Sequence, residues 1–267
     1  MIKLIAADFD NTLCDSNKVV TERTREAIKK FQNQGGLFVI ATTRPYYAID
    51  QIARDIGLKY VIASQGASIR SVADNKYLYK NFLTREDSKE ILTFIDKRIC
   101  RQVLLFSDKE IHLIRKDIFY DKFHSEMPES TAIINKNLLE NSKDMDIAQI
   151  MVGSIFEKYL IRRMKKWRKI YNDKFDIGLC DRHLLNFVKK DVSKGKAIQI
   201  VAKKFDIKKE EIISFGDSEN DKSMFDYSGV GVAMGNAMKI LKDKADAICE
   251  DCNNDGLAKY IENYVLK

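Results

Sequence analysis

The sequence predicts an α/β fold in which a parallel-sheet core is interrupted by an inserted α+β domain. Apolar strands alternate with amphipathic helices before residue 82 and again after residue 188, a rhythm that is typical of parallel sheets covered by helices. Between these segments, neighbouring alternating strands predict hairpins, which belong to antiparallel sheets. We therefore predict a split core, 1–82 with 188–267, and an inserted domain, 83–187.

The first part of the core is predicted as three strands separated by two helices. Residues 2–9 are an apolar strand that ends in acid. A helix over 21–34 follows, with Thr21 as its N-cap and a glycine pair as its stop. The next strand is 37–41, a helix begins near Pro45, and the third strand is 60–63.

The insert and the second part of the core differ in their spacing. In the insert we predict strands at 102–106, 111–115, 147–152, 175–179 and 184–188, and a helix at 155–171. After residue 188 the α/β alternation returns, with helices that begin at Ser193, Ser218, Ala237 and Asp255 and strands at 212–215 and 230–233.

Composition indicates a folded, water-soluble chain. It has 267 residues, of which 45% are hydrophobic and 32% charged, and no uncharged apolar run is long enough for a membrane helix. The net charge of +7 reflects either a lysine-rich proteome background or an attraction for anionic ligands, and the charge does not choose among such ligands. Five cysteines without a secretory signal indicate reduced thiols, so we expect a cytoplasmic location.

Two carboxylates follow the first predicted strand. Alternation places Asp8 and Asp10 on one side of the chain, at the end of a parallel strand where α/β sheets bind ligands. Such a pair suits a nucleophile beside a general acid/base. The D-x-D pattern is common, and by itself it leaves a solvated acidic loop equally open.

Three further segments carry phosphate- or metal-binding residue types. Thr42, Thr43 and Arg44 end the second strand, where hydroxyl and backbone N–H groups form a phosphate cradle. Lys194 opens a helix and suits neutralisation of an oxyanion. Asp217 and Asp221 follow a late strand at a spacing of four, and Mg²⁺ binds carboxylate and phosphate oxygens.

These segments together resemble the haloacid dehalogenase-like phosphatases, in particular the Cof-type subfamily. The matching stretches are D-F-D-N-T-L (8–13), V-I-A-T-T-R-P (39–45), V-S-K-G-K-A (192–197) and G-D-S-E-N-D (216–221), the last followed by G-V-A-M-G-N-A. Their order and spacing fit across essentially the whole chain. The resemblance implies a Rossmann-like core with an inserted α+β cap domain that selects the substrate.

The resemblance also implies a role for each matching residue in phosphoryl transfer. Asp8 would attack phosphorus and form an aspartyl-phosphate. Asp10 would protonate the leaving oxygen and then deprotonate the hydrolytic water. Thr42 and Lys194 would bind the phosphoryl oxygens, with Thr43 and Arg44 as further phosphate-binding positions.

A magnesium site follows from the same resemblance. Asp8, the backbone carbonyl of Asp10, and Asp217 would hold Mg²⁺. Asp221 would orient these ligands, and Asn220 would support Lys194 or the phosphoryl group. These roles are consistent with the chemistry of phosphoryl transfer, which requires positioning and charge neutralisation above all.

At two positions the chain lacks a glycine of the family pattern, and Gln65 stands where the family has asparagine. Asn11 and Thr43 stand where glycine is usual. Asn tolerates left-handed backbone, so we expect the turn at Asn11 to form. The β-branched Thr43 could crowd the phosphate site and slow the reaction. Neither change removes a charged catalytic group.

For two other features we favour an ordinary structural role over a functional one. Cys249 and Cys252 form a C-x-x-C with no second pair to complete a metal site. The helix at 155–171 has a Lys/Arg-rich face, which is more often a solvated cap surface than a nucleic-acid or membrane site. We therefore expect a small phosphorylated substrate, no nucleic acid and no membrane partner; no pattern indicates the oligomeric state.

Three functions remain in competition at this point. The first is a Mg²⁺-dependent phosphatase acting on small phosphorylated metabolites, sugar phosphates above others. The second is a sugar phosphomutase on the same fold, which would depend on a bisphosphate activator. The third is a non-enzymatic module that accepts or binds a phosphoryl group. The complete set of charged residues favours an enzyme.

Overall fold

A computed structural model of the chain describes residues 1–96, 99–107, 109–121, 132–135, 137–138 and 145–266. The chain divides into two compact units. The first unit comprises Met1–Arg44, Ile49–Tyr79 and Ser193–Lys267. The second comprises Pro45–Ala48 and Lys80–Val192.

The helices and strands have the following bounds. The strands are β1 (Leu4–Ala7), β2 (Leu37–Ala41), β3 (Tyr60–Ala63), β4 (Ser68–Ser71), β5 (Tyr77–Lys80), β6 (Gln102–Ser107), β7 (Ile111–Leu113), β8 (Ala132–Ile134), β9 (Ile147–Gly153), β10 (Phe175–Asp181), β11 (Leu184–Lys189), β12 (Ile212–Gly216), β13 (Val230–Ala233) and β14 (Ala247–Ile248). The α-helices are α1 (Glu22–Asn33), α2 (Asp50–Asp55), α3 (Arg85–Phe94), α4 (Glu157–Tyr171), α5 (Lys194–Lys204), α6 (Lys222–Asp226), α7 (Lys239–Lys242) and α8 (Gly256–Tyr264).

The first unit is built on an eight-stranded sheet with the order β14-β13-β12-β1-β2-β3-β4-β5. From β14 to β3 all neighbours are parallel, which confirms the predicted parallel core. The chain leaves β1 toward β2 on one side, whereas β12 lies on the other side. This reversal of strand order is the place where α/β sheets bind ligands.

Strand β1 lies at the centre of this sheet because its side chains are all apolar. Leu4, Ile5, Ala6 and Ala7 are fully buried, as expected for a strand covered on both faces. Helix α1 begins where Thr21 caps it, since the Thr21 hydroxyl accepts a hydrogen bond from the Thr24 backbone N–H.

Several boundaries differ from the prediction. The helix predicted from Pro45 is a 3₁₀ turn at Tyr46–Ala48 followed by α2, because Ile49 has a non-helical backbone (φ −125°). Helix α4 begins at Glu157 and not at Ile155, because the Ser154 hydroxyl accepts a hydrogen bond from the Phe156 N–H and forms a turn there.

Some short elements were not predicted. Strand β4 is antiparallel to β3, and β5 continues the sheet beyond it. Helix α3 begins at a capping box formed by Thr84 and Asp87, and β14 has only two residues. Strand β8 also lies outside the predicted set.

The second unit contains a six-stranded sheet with the order β10-β11-β9-β6-β7-β8. Its pairs are antiparallel except β7 with β8, so the predicted hairpins at 102–115 and 175–188 are confirmed. Asp108, in the turn of the first hairpin, lies outside the described residues. Residues of α3 and α4, among them Ile91, Leu160 and Trp167, share an apolar core with this sheet.

Within the described ranges, no helix combines the length and apolarity that crossing a membrane requires.

Candidate active site

Asp8 is the first residue after the central strand β1. Its backbone N–H donates a hydrogen bond to the Phe215 carbonyl of β12 at 3.0 Å, so the backbone at Asp8 is fixed by the neighbouring strand. Only 6% of the residue is exposed. Burial raises the pKa of Asp8 to about 7, and the nearby Lys194 cation offsets only part of that effect.

Lys194 is a fully buried cation between two carboxylates. Its Nζ donates to Asp8 Oδ1 at 2.7 Å and to Asp221 Oδ1 at 2.6 Å. Burial alone would lower the pKa of Lys194, but the carboxylates of Asp221 and Asp8 outweigh burial and raise it. Lys194 therefore stays protonated and keeps its positive charge in the core of the site.

The start of helix α5 places Lys194. Ser193 caps the helix by accepting a hydrogen bond from the Lys196 N–H at 3.1 Å. Gly195 lets the helix approach closely, because a Cβ at this position would lie 2.0 Å from the Ser223 carbonyl oxygen. The N-cap and the glycine together hold Lys194 in the core of the site.

Asp221 has both carboxylate oxygens occupied. Its Oδ1 accepts from Lys194, and its Oδ2 accepts from the backbone N–H groups of Asp217 and Ser218, both at 3.0 Å. A Cβ on Gly216 would lie 2.5 Å from the Asp221 Cβ, so glycine is needed where β12 ends. These contacts make Asp221 a residue that holds Lys194 and the loop of Asp217.

Three carboxylates form a cluster in this part of the chain. One oxygen from each of Asp8, Asp217 and Asp221 lies within 4.8 Å of the others. Burial, together with the charges of Asp8 and Asp221, raises the pKa of Asp217 to about 8. Among the described residues, no group donates a hydrogen bond to the Asp217 carboxylate or to Asp8 Oδ2. These oxygens suit a hard divalent cation, which prefers carboxylate ligands.

Asp10 is held by two cations. Arg44 donates to it through Nε (2.8 Å, to Oδ2) and Nη2 (2.6 Å, to Oδ1), and Lys18 Nζ donates to Oδ1 at 2.8 Å. Burial would raise the pKa of Asp10, but these ion pairs outweigh it and hold the pKa below its usual value. The two-pronged contact with Arg44 also fixes the plane of the carboxylate.

The remaining predicted residues lie at the same edge of the sheet but make other contacts. Thr42 is fully buried, and its hydroxyl accepts a hydrogen bond from the Arg44 N–H at 3.1 Å. Asn220 Oδ1 accepts from the Ser218 hydroxyl at 2.5 Å, and no hydrogen bond joins Asn220 to Lys194 among the described residues, so the role of Asn220 stays a prediction. Phosphate binding by Thr42, Thr43 and Arg44 stays a prediction.

The structure shows the backbone conformation at the two positions where the family has glycine. Asn11 has a left-handed backbone (φ 55°, ψ 19°), which confirms that this turn forms with Asn in place of glycine. Thr43 is not among the described residues with positive φ, so its branched side chain adds no strain of that kind.

Two functional contacts were missed from the sequence. Lys18 reaches Asp10 from the loop before α1, and no local pattern signals it. Asn236 donates from Nδ2 to the Asn11 carbonyl at 2.9 Å and accepts at Oδ1 from the Cys252 N–H at 3.0 Å. It therefore ties the loop after β1 to the segment before α8. Its position within G-V-A-M-G-N-A was the available signal.

The cysteines remain thiols. All five are free, and Cys14 and Cys252 are buried. Burial raises the pKa of Cys14 and of Cys249 to about 12, which makes both poor nucleophiles.

Comparison with known proteins identifies the family of the chain. A family profile described as haloacid dehalogenase-like hydrolase matches residues 5–261. Phosphatase YwpJ of Bacillus subtilis is 28% identical over 98% of this chain and 99% of its own length. The 5-amino-6-(5-phospho-D-ribitylamino)uracil phosphatase YitU of the same bacterium is 24% identical over 98% of this chain and 97% of its own length.

A solved structure of a haloacid dehalogenase-like hydrolase from Bacillus subtilis is 26% identical, with a TM-score of 0.88, over 99% of this chain and 100% of that one. With the family profile covering nearly all residues, these similarities and the sheet-edge cluster lead to one assignment: the chain belongs to the Cof-type haloacid dehalogenase-like hydrolases and is a phosphatase.

Proposed function

We propose that the chain is a Mg²⁺-dependent phosphatase that hydrolyses small phosphorylated metabolites, sugar phosphates above others, through an aspartyl-phosphate on Asp8. The observation that carries this proposal is the buried Lys194, which contacts Asp8 on one side and Asp221 on the other. Because Lys194 donates to Asp8 Oδ1, Asp8 Oδ2 has no hydrogen-bond donor in the described part of the chain, as a nucleophilic oxygen requires.

In the first step, Asp8 Oδ2 attacks phosphorus and the bond to the leaving oxygen breaks. Lys194 lies within hydrogen-bond distance of Asp8 Oδ1 and is placed to neutralise charge on the phosphoryl oxygens. Because Asp221 and two backbone N–H groups hold this arrangement, little reorganisation is needed during the reaction.

Asp10 acts at the leaving oxygen and then at water. The ion pairs with Arg44 and Lys18 favour its ionised form, which is the form that removes a proton from the attacking water in the second step. The same ion pairs oppose proton donation in the first step. We therefore expect protonation of the leaving oxygen to limit turnover of alkyl phosphates.

The donor set fits Mg²⁺. The groups that would hold it are the carboxylates of Asp8 and Asp217 and the backbone carbonyl of Asp10. When bound, the ion supplies positive charge that neutralises the carboxylates and the phosphoryl group. Asp221 would contribute by position, since its oxygens already accept three hydrogen bonds from Lys194, Asp217 and Ser218.

The substrate class is supported by the relatives. The name of YitU specifies the phosphate ester of a ribityl chain, a small polyol, as the group it acts on. A phosphorylated sugar or polyol has the same alkyl phosphate bond. It also presents hydroxyl groups that an inserted domain can recognise through hydrogen bonds.

The test is phosphate release from a panel of sugar, polyol and nucleotide monophosphates, with Mg²⁺ and after metal removal. We expect release that requires Mg²⁺, is highest on sugar or polyol phosphates and is lost in Asp8→Asn. Asp206→Asn is the matched control, because Asp206 is exposed and its left-handed backbone tolerates Asn. Full activity in Asp8→Asn would overturn the assignment of Asp8 as the nucleophile. Dependence of the activity on a sugar bisphosphate would indicate a phosphomutase.

A further inference from the structure

The positive charge of the chain is concentrated in one helix. Residues 157–171 contain seven basic side chains and one acidic one, a net charge of +6. The whole chain has 46 basic and 39 acidic residues, a net charge of +7. The rest of the molecule is therefore almost balanced, and α4 accounts for nearly all of the excess.

Five of these cations form a single row, which we name the basic stripe. Its members are Lys158, Arg162, Lys165, Lys166 and Lys169, all exposed. Their spacing of i, i+4, i+7, i+8 and i+11 places them within an arc of about 100° and along about 16 Å of the helix. None of them forms an ion pair with any residue that the structure describes.

The basic stripe is unfavourable in the isolated chain. Exposed helices ordinarily alternate Glu and Lys at a spacing of four, because like charges at that spacing destabilise the helix. Here Lys158 and Arg162, Arg162 and Lys166, and Lys165 and Lys169 are like-charged neighbours. The single acid, Glu157, lies in the first turn. An external polyanion would remove this repulsion.

The opposite face of α4 is already used. Leu160 and Trp167 are buried in the apolar core of the second unit, where Trp167 contacts Phe94 and Phe187. A helix that binds a lipid surface inserts its apolar face between the acyl chains. That face of α4 is not available, and every member of the stripe is Lys or Arg. The exposed apolar residues Phe156 and Ile170 lie at the two ends of the helix and not within the stripe, so the row of cations matches a linear polyanion better than a lipid surface.

We propose that the basic stripe binds the phosphate backbone of double-stranded nucleic acid, without sequence preference. The sequence alone favoured a solvated face; the unpaired row and its concentration of charge lead to this further site. A duplex carries one negative charge per about 1.7 Å of its axis, so 16 Å of stripe faces enough phosphates for all five cations. Lys and Arg contact phosphates without reading bases.

Binding of this kind depends steeply on salt, because each neutralised phosphate releases counterions. Five contacts predict a slope of about −4.5 in log affinity against log salt concentration. Removing three cations from the stripe should reduce the magnitude of the slope by about 2.7.

The experiment measures fluorescence anisotropy of a labelled mixed-sequence DNA duplex with the full chain, as a function of salt. The variant is Lys158→Gln with Lys165→Gln and Lys169→Gln. The matched control removes three exposed lysines of the first unit, as Lys203→Gln with Lys204→Gln and Lys209→Gln. We expect weaker binding and a shallower slope in the stripe variant only, with unchanged phosphate release in both.

Three outcomes would overturn the proposal. An equal loss of duplex affinity in the control variant would indicate that the positive charge of the whole surface, and not the basic stripe, binds the duplex. No binding of the duplex by the wild-type chain at low salt would remove the site. Binding to phosphatidylserine vesicles, but not to the duplex, would indicate a membrane surface as the partner.

Discussion

Replacing Lys194 by Met removes the positive charge that lies between two buried carboxylates. Asp8 and Asp221 would keep their positions but lose the cation at 2.7 and 2.6 Å. Met has a similar length and no charge, so the change tests electrostatics more than packing. It leaves two carboxylates that repel each other in a site from which water is largely excluded.

The size of the effect follows from burial. Lys194 and Asp221 side chains are fully buried, and breaking a buried ion pair by removing one partner costs about 3–5 kcal/mol of unfolding free energy. The exposed pair Lys3–Glu211, also in the first unit, provides the control. Its loss in Lys3→Met should lower the unfolding free energy far less, because water screens an exposed ion pair.

The cost should also depend on pH. Without Lys194, the pKa of Asp8 in the folded state rises further above its unfolded value. The folded variant then binds more protons than the unfolded one, so its stability relative to wild type increases as the pH falls. We expect a larger loss at about pH 8 than at about pH 5.5.

The assay is urea unfolding of the metal-free protein followed by far-UV circular dichroism, because the single tryptophan, Trp167, lies in the second unit. A loss in Lys194→Met no greater than in Lys3→Met, at both pH values, would refute the description of this cluster.

Three more predictions concern the same site. Burial raises the pKa values of Asp8 and Asp217 to about 7 and about 8, so the metal-free fold binds extra protons and loses stability as the pH rises through this range. Because Mg²⁺ requires the ionised carboxylates, its shift of the thermal midpoint should be larger at about pH 8 than at about pH 6; equal shifts would contradict this. Asn236→Ala should lower the unfolding free energy by about 1 kcal/mol, because the Asn11 carbonyl loses its hydrogen bond. It should also raise the Mg²⁺ concentration needed for half-maximal activity. An unchanged Mg²⁺ requirement would argue against this positioning role. Gly216→Ala should unfold at a clearly lower temperature than wild type, since its Cβ would lie 2.5 Å from a buried side-chain atom; an unchanged midpoint would mean that β12 shifts freely.

Long apolar strands made most of the core predictable. Strand 37–41 has the predicted bounds, and Thr21 and Ser193 cap helices as their sequence positions indicated. Strand β14 could not be found because two residues carry no periodicity. Helix α3 has a recognisable signal in its Thr84–Asp87 capping box, which the prediction did not include.

The site was only partly accessible to sequence reasoning. Motif order brought Asp8, Lys194 and Asp217 to one sheet edge, because parallel strands end together. Arg44 and Lys18 both donate hydrogen bonds to Asp10. These contacts depend on the directions of side chains across loops, which residue spacing along the chain does not reveal. For the same reason, the role of Lys194 as a bridge between two carboxylates emerges only from the folded chain.

The most direct test of the account is chemical trapping of the phosphorylated enzyme. Borohydride reduces an aspartyl-phosphate to homoserine. We would quench the protein during turnover of an aryl phosphate, whose leaving oxygen needs no proton, so that the aspartyl-phosphate forms quickly and accumulates, and sequence the N-terminal peptide by mass spectrometry. We expect homoserine at position 8 only when substrate and Mg²⁺ are both present, and none at that position in Asp8→Asn. Full turnover with unmodified Asp8 would mean that water attacks phosphorus directly and would contradict the assignment of the nucleophile.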